Sequence, residues 1–283
     1  MSALLDVDME ASTMTQEERR RYLIRFLLNE TEQYKDLVVP ETSEEQKMLL
    51  RSLFNIRMPK EVPEEFLRIQ DAYLQEEAKE KGIVDYQELM PVKEGIYLWQ
   101  GDISSLKVGA IVNAANSQML GCFYPNHKCI DNCIHTFAGI QLRKACQDIM
   151  SRQGHEEETG KAKITPAYNL PSDYVIHTVG PIIYGKVTRK DENLLASCYK
   201  SCLEIADKNG VKSIAFCCIS TGEFHYPNEQ AAQVAIQTVR DYKAETGSKI
   251  DVVFNVFKDV DFEIYRELLK ASYGSKARMN SNN

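Results

Sequence analysis

The chain has 283 residues, of which 43% are hydrophobic and 27% charged, and its formal net charge is −7. This composition is typical of globular proteins, and the acidic balance without a Lys/Arg cluster argues against nucleic-acid binding. The acidic N-terminus and the short apolar runs argue against a signal peptide and a membrane span, so we expect a cytoplasmic protein.

Residues 1–92 are predicted to form a helical N-terminal extension. Thr15 and Glu18 have the spacing of a capping box, and Ser43 with Gln46 offers a second helix start. A third helix is predicted to begin at Pro63, ahead of two acidic residues, and to end at Gly82. Nothing in this segment suggests chemistry.

Residues 93–272 are predicted to form an α/β domain, because short apolar runs alternate there with longer amphipathic stretches. The predicted strands are 96–99, 110–113, 163–165, 174–178, 213–219 and 251–257. The predicted helices are 131–151, 192–209, 228–246 and 261–271. This order indicates a central, largely parallel sheet, followed by a polar tail at 273–283.

In such a sheet, ligands bind in the loops that follow the carboxyl ends of the strands. Asn113 and Asn116 flank two alanines where a buried strand should end. Their amides can hold sugar hydroxyls, or they can simply satisfy backbone groups of the loop. After another strand, Ser220, Thr221 and Gly222 can present backbone N–H groups to a diphosphate, aided by the dipole of the next helix.

Phe257 ends the last predicted strand. An aromatic ring at this edge of the sheet can stack on a nucleobase, although such a residue is more often part of the core. The residue alone leaves both interpretations open.

Three residues in one loop carry the donors that zinc prefers. Cys122, His127 and Cys129 lie within eight residues, just before a predicted helix. Three protein ligands would leave a coordination position open, as catalytic zinc sites do. The spacing is not that of a zinc finger, so unrelated loop residues remain the alternative. Cys133 and His135 are rival ligands, but they are predicted to lie inside the helix.

Five motifs in this order resemble the macrodomain family over roughly residues 93–272. They are Gly101-Asp102-Ile103, Asn113-Ala114-Ala115-Asn116, Thr159-Gly160, His177-Thr178-Val179-Gly180-Pro181 and Ile219-Ser220-Thr221-Gly222. The resemblance implies a three-layer fold with a mixed, largely parallel sheet between helices.

One segment is similar to the MacroD-type hydrolases of that family. Residues 130–135 retain the Asp131 and Ile-His of their Val-Asp-Gly-Ala-Ile-His motif, whereas the Cys/His loop replaces their glycine run. This departure resembles the zinc-dependent microbial branch, which also carries a helical N-terminal extension. The resemblance therefore implies a Zn²⁺ cofactor on Cys122, His127 and Cys129.

The resemblance also implies a role for each remaining site residue. Asp102, with Ile103 beside it, would accept from the adenine amino group, and Phe257 would stack on the ring. Asn113 and Asn116 would contact ADP-ribose, with Asn116 on the distal ribose. The diphosphate would be wrapped by Ser220, Thr221, Gly222, Glu223, Phe224, His225 and Tyr226, although relatives commonly carry glycine where His225 stands.

Asp131, together with Asn116, is the predicted catalytic residue near the scissile carbon. We expect Asp131 to face the zinc and to be held ionised by the ion and by the helix N-terminus. The alternative is that Asp131 is only the N-cap of the helix.

The function implied is that of a protein mono-ADP-ribosyl hydrolase that removes ADP-ribose from acidic side chains. The partners implied are ADP-ribose and an ADP-ribosylated protein, with a lipoyl-carrier protein suggested by the resemblance. A non-catalytic ADP-ribose-binding module, an O-acetyl-ADP-ribose deacetylase and a purely structural zinc are the alternatives.

Overall fold

The N-terminal extension consists of α1 (Gln16–Asn29), α2 (Ser43–Ile56) and α3 (Glu64–Lys81). The structure, a computed structural model, describes residue 11 and residues 13–274, with side chains through Ser272. Burial of one face of each helix makes a small core, which Leu23, Leu50 and Phe66 share with Ile140 from the other part of the molecule. The extension therefore packs against the rest of the chain.

The caps of these helices follow the sequence closely. The predicted capping box is confirmed, because Thr15 and Glu18 bond each other's backbone N–H groups. The N-cap of α2 is Thr42, one residue before the predicted Ser43. The third helix ends at Gly82, whose φ of +95° favours glycine.

The remaining elements alternate between strands and helices. In chain order they are β1 (Val84–Asp85), β2 (Pro91–Lys93), β3 (Ile96–Gln100), β4 (Leu106–Lys107), β5 (Ala110–Ala115), α4 (Ile130–Ala138), α5 (Ile140–Gln153), β6 (Ala162–Pro166), β7 (Tyr174–Val179), α6 (Arg189–Lys208), β8 (Ser213–Phe216), α7 (Asn228–Thr246), β9 (Asp251–Val256) and α8 (Asp259–Gly274).

Seven strands form one mixed sheet in the order β2-β3-β9-β8-β5-β7-β6. The outer pairs β2–β3 and β6–β7 are antiparallel, and the inner pairs are parallel. The predicted mixed, mostly parallel sheet flanked by helices is thus confirmed. Because the parallel strands end at the same edge, their following loops meet there.

Four predictions of element bounds need correction. The strand at 213–219 ends at Phe216, and the helix at 131–151 is broken by Gly139, whose φ is +94°. The sheet begins before residue 93, because β2 pairs with β3. The last helix runs through Gly274 into the predicted tail, and the rest of that tail lies outside the described residues.

No helix within residues 13–274 is both long and apolar enough to cross a membrane.

Candidate functional site

A cavity of about 520 Å³ opens at the carboxyl edge of the parallel strands. It is lined by residues that follow β5, β7, β8 and β9, among them Asn116, Gly180, Cys217 and Phe257. Its volume is in the usual range for small-molecule sites. The edge predicted from strand order is therefore where the site lies.

The predicted zinc donors meet in this cavity. One donor atom each from Cys122, His127 and Cys129 lies within 4.8 Å of the others. The Cys122 Sγ to His127 Nδ1 distance is 3.8 Å, close to the spacing of about 3.6 Å between sulfur and nitrogen ligands of tetrahedral zinc. The donor set and its spacing therefore fit a zinc ion.

The orientation of His127 suits this use of its ring. Its Nδ1 lies 3.8 Å from Cys122 Sγ and 3.4 Å from the backbone N of Cys129, so this nitrogen faces the part of the loop that carries both sulfurs. A zinc ion bound there would replace the long hydrogen bond from the Cys129 N–H as the partner of the Nδ1 lone pair. Its Nε2 lies 3.8 Å from Glu223 Oε1, and histidine ligands commonly present their second nitrogen to a carboxylate. Glu223, predicted for the diphosphate, therefore also faces the metal ligand.

The two rival ligands lie elsewhere. Cys133 Sγ lies 3.4 Å from Arg51 Nη2, and burial raises the pKa of this thiol. His135 belongs to a second cluster, with Cys146 and His177. Both rivals lie within α4, as predicted from the sequence.

Asp131 is the second residue of α4 and lines the cavity. Cys129 is the N-cap, so the alternative that Asp131 is only a cap is wrong. Asp131 Oδ1 accepts a 2.8 Å hydrogen bond from Asn113 Nδ2 and lies 3.6 Å from His135 Nε2. Burial raises the pKa of Asp131 to about 6, against the lowering by Asn113 and by the charge of Arg143. A carboxyl group with this pKa is still mostly ionised at neutral pH, although burial opposes its charge.

Asn113 lies outside the lining of the cavity, and its predicted contact with ADP-ribose stays a prediction. Its side chain is fully buried and donates to Asp131 and, at 3.2 Å, to His177 Nδ1. The Nε2 atom of His177 lies 3.0 Å from Thr165 Oγ1. A buried chain of hydrogen bonds therefore fixes the carboxylate of Asp131 on the side away from the cavity.

Asn116 faces the ligand space and also satisfies backbone groups of its own loop. It lines the cavity, yet its Oδ1 accepts from the Gln118 N–H at 3.1 Å and its Nδ2 donates to the Gly121 carbonyl at 3.4 Å. It therefore shapes the start of the metal loop while facing the ligand space.

The diphosphate loop is only partly as predicted. Ser220, Thr221, Gly222, Glu223 and Phe224 line the cavity, whereas His225 and Tyr226 do not. The Tyr226 ring is buried, and its N–H donates to the Ser220 carbonyl. His225 is exposed with a φ of +58°, a conformation that glycine adopts more readily. The extra bulk of His225 therefore points away from the ligand space.

Gly180, from the fourth motif, has a steric reason to be glycine. A Cβ at this position would lie 2.0 Å from Ser220 Oγ. The end of β7 can therefore lie close to the diphosphate loop only because Gly180 has no side chain.

Of the three residues predicted to bind adenine, one lines the cavity and two do not. Phe257 lines the cavity and is 73% exposed, so it is not a core residue and is free to stack. Asp102 and Ile103 lie outside the lining, and Ile103 is buried. The carboxylate of Asp102 is paired with Lys81 of α3 and with Ser104. Burial alone would raise the pKa of Asp102, but these hydrogen bonds hold it below its usual value. The role predicted for Asp102 at the adenine amino group stays a prediction.

Lys258 and Asp261 are lining residues that sequence reasoning missed. Both follow β9, so the strand order itself could have drawn attention to them. Lys128 and Lys258 are the cations among the described lining residues, and they offer charge to an anionic ligand.

A family model described as "Macro domain" matches residues 112–235. A "Protein-ADP-ribose hydrolase" of Treponema medium is 56% identical over 260 residues, which are 90% of this chain and 100% of the relative. A protein of that name from Staphylococcus aureus (strain MSSA476) is 48% identical over 251 residues, 88% of this chain and 94% of the relative. These alignments extend beyond the sheet into the N-terminal helices.

Among solved structures, the Trypanosoma brucei macrodomain in complex with ADP-ribose matches with a TM-score of 0.60 and 29% identity. The match covers 81% of this chain and 97% of that one.

Proposed function

The chain belongs to the macrodomain family, and on that premise we propose that it is a zinc-dependent hydrolase that removes ADP-ribose from acidic side chains of modified proteins. Relatives named protein-ADP-ribose hydrolase support hydrolysis, and a macrodomain solved with ADP-ribose supports this ligand. One observation carries the proposal: three zinc donors, Asp131 and the diphosphate loop line the same cavity.

Zinc would be held by Cys122, His127 and Cys129. When bound, it supplies positive charge that attracts an oxygen of the distal ribose or of a water. Two thiolates also balance the charge of the ion, which keeps the site close to neutral.

The chain's own residues would bind and orient the substrate. The loop of Ser220 through Phe224, together with Lys258, would hold the diphosphate, and Phe257 would stack on the adenine. Asn116 would then face the distal ribose. Because Asn113 fixes Asp131 Oδ1, the carboxylate is preorganised to accept a hydrogen bond from a water.

The bond cleaved would join C1 of the distal ribose to a carboxylate oxygen of the modified side chain. The water oxygen forms a bond to C1, and its proton leaves by way of Asp131 to solvent. The side-chain oxygen departs with the bonding pair as a carboxylate, and ADP-ribose is released.

The substrate protein and the location of the enzyme are further parts of the proposal. We take a lipoyl-carrier protein as the first substrate to test, because the zinc-dependent branch resembles this chain in its metal loop and helical extension. A cytoplasmic location stays a prediction from the N-terminal sequence.

The proposal is tested by single-turnover release of ADP-ribose from a glutamate-modified protein. Release should stop after removal of zinc by a chelator and return when zinc is added. A serine-linked substrate is the matched control and should stay intact. Full activity in protein shown to be free of metal would contradict zinc dependence. Tight ADP-ribose binding without release would make the protein a binding module, and cleavage confined to O-acetyl-ADP-ribose would make it a deacetylase.

A further inference from the structure

Helix α2 of the N-terminal extension contacts the metal loop through one face. Arg51, Ser52 and Asn55 lie at positions i, i+1 and i+4 of this helix. Their side chains all bond residues between Asn126 and Thr136. The predicted extension, which showed no chemistry of its own, is thus attached to the candidate metal site.

Arg51 bonds the backbone of a proposed ligand. Its Nη2 donates to the His127 carbonyl at 2.7 Å and to Asn132 Oδ1 at 2.9 Å. Asn132 Nδ2 in turn donates to the carbonyls of Cys122, at 3.3 Å, and Tyr124, at 3.0 Å. One guanidinium group therefore restrains the chain at two of the three donors.

Asn55 and Ser52 hold the turn between those donors. Asn55 Oδ1 accepts from the backbone N–H of Asn126 at 2.9 Å, and Ser52 Oγ accepts from Asn126 Nδ2 at 2.7 Å. Asn126 has a φ of +55°, a left-handed conformation that asparagine tolerates better than most residues with a side chain. The extension therefore holds in place the turn that brings His127 back toward Cys122.

Arg143 of α5 adds a third link. Its guanidinium donates to the carbonyls of Phe54 and Arg57 at the end of α2, and to the Leu120 carbonyl at the start of the metal loop. It also lies 4.2 Å from the centre of the Phe123 ring. The loop is thus fixed to α2 at both of its ends.

We infer that α2 is a positioning element for the metal site, with Arg51 and Asn55 as its positioning residues. A loop of eight residues must lose conformational freedom to bring three donors together, and binding is tighter when that cost is met during folding. Hydrogen bonds to the residues around a metal ligand typically change metal affinity about 10- to 100-fold when removed. This inference rests on the proposed function, since it concerns the same zinc.

The test is zinc affinity of the full chain, measured by chelator competition, for wild type, Arg51→Ala and Asn55→Ala. Each variant should bind zinc about tenfold more weakly, or worse. Arg25→Ala, at an exposed arginine of α1, is the matched control and should bind as wild type does. Ser52→Ala loses the neutral hydrogen bond from Asn126 and one to the Met48 carbonyl within α2, and the loss of the contact with Asn126 should weaken zinc binding about two- to fivefold.

A second readout is hydrogen exchange at residues 122–129 in metal-free protein. Exchange there should be faster in Arg51→Ala and Asn55→Ala than in wild type, while the α1 amides stay unchanged. Wild-type zinc affinity in all of these variants would overturn the inference and leave the proposed function standing. A wild type that holds no zinc would overturn the proposed metal site, and exchange would still report whether α2 holds the loop.

Discussion

Two clusters of Cys and His side chains lie near α4, one in the loop before this helix and one that includes His135 of the helix itself. The outer cluster is Cys122, His127 and Cys129, and the inner cluster is His135, Cys146 and His177. In each, donor atoms lie within 4.8 Å of one another. The outer cluster is half-buried and lines the cavity, whereas the inner cluster is buried among the sheet and helices. The same residue types therefore occupy very different surroundings.

Cys146 and His177 of the inner cluster belong to a network of neutral hydrogen-bonding groups, whereas both ring nitrogens of His135 lack a hydrogen-bond partner among the described residues. Because Asn113 Nδ2 donates to His177 Nδ1, the ring proton lies on Nε2, which donates to Thr165. Burial lowers the pKa of His177 to about 3 and raises that of Cys146 to about 12. A divalent ion bound here would have to lose its hydration and displace the proton of the buried Cys146 thiol, which is costly. Proximity of donors is therefore not sufficient evidence for a metal site.

Asp131 lies between the two clusters and would use both. The outer cluster lies in the same cavity, and the inner network fixes the carboxylate through Asn113. Substitutions that act on one cluster and spare the other can therefore test whether the outer cluster binds the metal and the inner network only positions Asp131.

The largest effect should come from Asp131→Ala. Loss of the group that orients the water should slow single-turnover release about 10²- to 10⁴-fold. Affinity for ADP-ribose should change far less, because the adenine and diphosphate contacts remain. A variant that melts earlier but cleaves at the wild-type rate would make Asp131 a purely structural residue.

The second largest effect should be the loss of zinc when a ligand of the outer cluster is removed. Cys129→Ala should lose its zinc in elemental analysis, because one of the two thiolates is gone. Cys146→Ala, in the inner cluster, and Cys133→Ala, on α4, should each keep one zinc per chain. Equal loss in all three variants would contradict the assignment of ligands.

Substitution in the inner cluster should instead change how the unfolding free energy depends on pH. The folded-state pKa of His177 is below its unfolded value, so below about pH 6.5 the unfolded chain binds the extra proton and stability falls. Between pH 7 and pH 5, wild type should lose about 2 kcal/mol more unfolding free energy than His177→Gln.

Denaturant titrations at the two pH values measure that difference. His155→Gln, at an exposed histidine, is the matched control and should follow wild type. Parallel losses in wild type and His177→Gln would mean that His177 is not held neutral by burial.

The smallest effect should follow Thr165→Val. This nearly isosteric change leaves the buried Nε2–H of His177 without its acceptor, at a cost of about 1–2 kcal/mol in unfolding free energy. Zinc content should remain one per chain. Loss of zinc in this variant would mean that the inner network supports the metal site after all.

Local patterns predicted the outer cluster and most elements of the fold. The ligand loop was recognisable because its three residues lie within eight positions, and α7 was predicted with its observed bounds because its apolar stripe is regular. The inner cluster was missed, because Cys146 and His177 are 31 residues apart in sequence and meet only through the sheet.

The remaining misses also depend on contacts between distant residues. Periodicity predicted one helix over 131–151, but Gly139 interrupts it where Gln70 of α3 accepts from the Ile140 N–H. The Arg51 to His127 contact joins residues 76 positions apart and leaves no local pattern. The motif around Asn113 likewise gives no sign that its side chain is buried and bonded to Asp131.

The most direct test of the account is anomalous diffraction at the zinc edge from crystals of the purified protein. We expect one peak, between Cys122 Sγ, His127 Nδ1 and Cys129 Sγ, and none among His135, Cys146 and His177. A peak in the inner cluster, or zinc-free crystals of protein that releases ADP-ribose at full rate, would contradict the account.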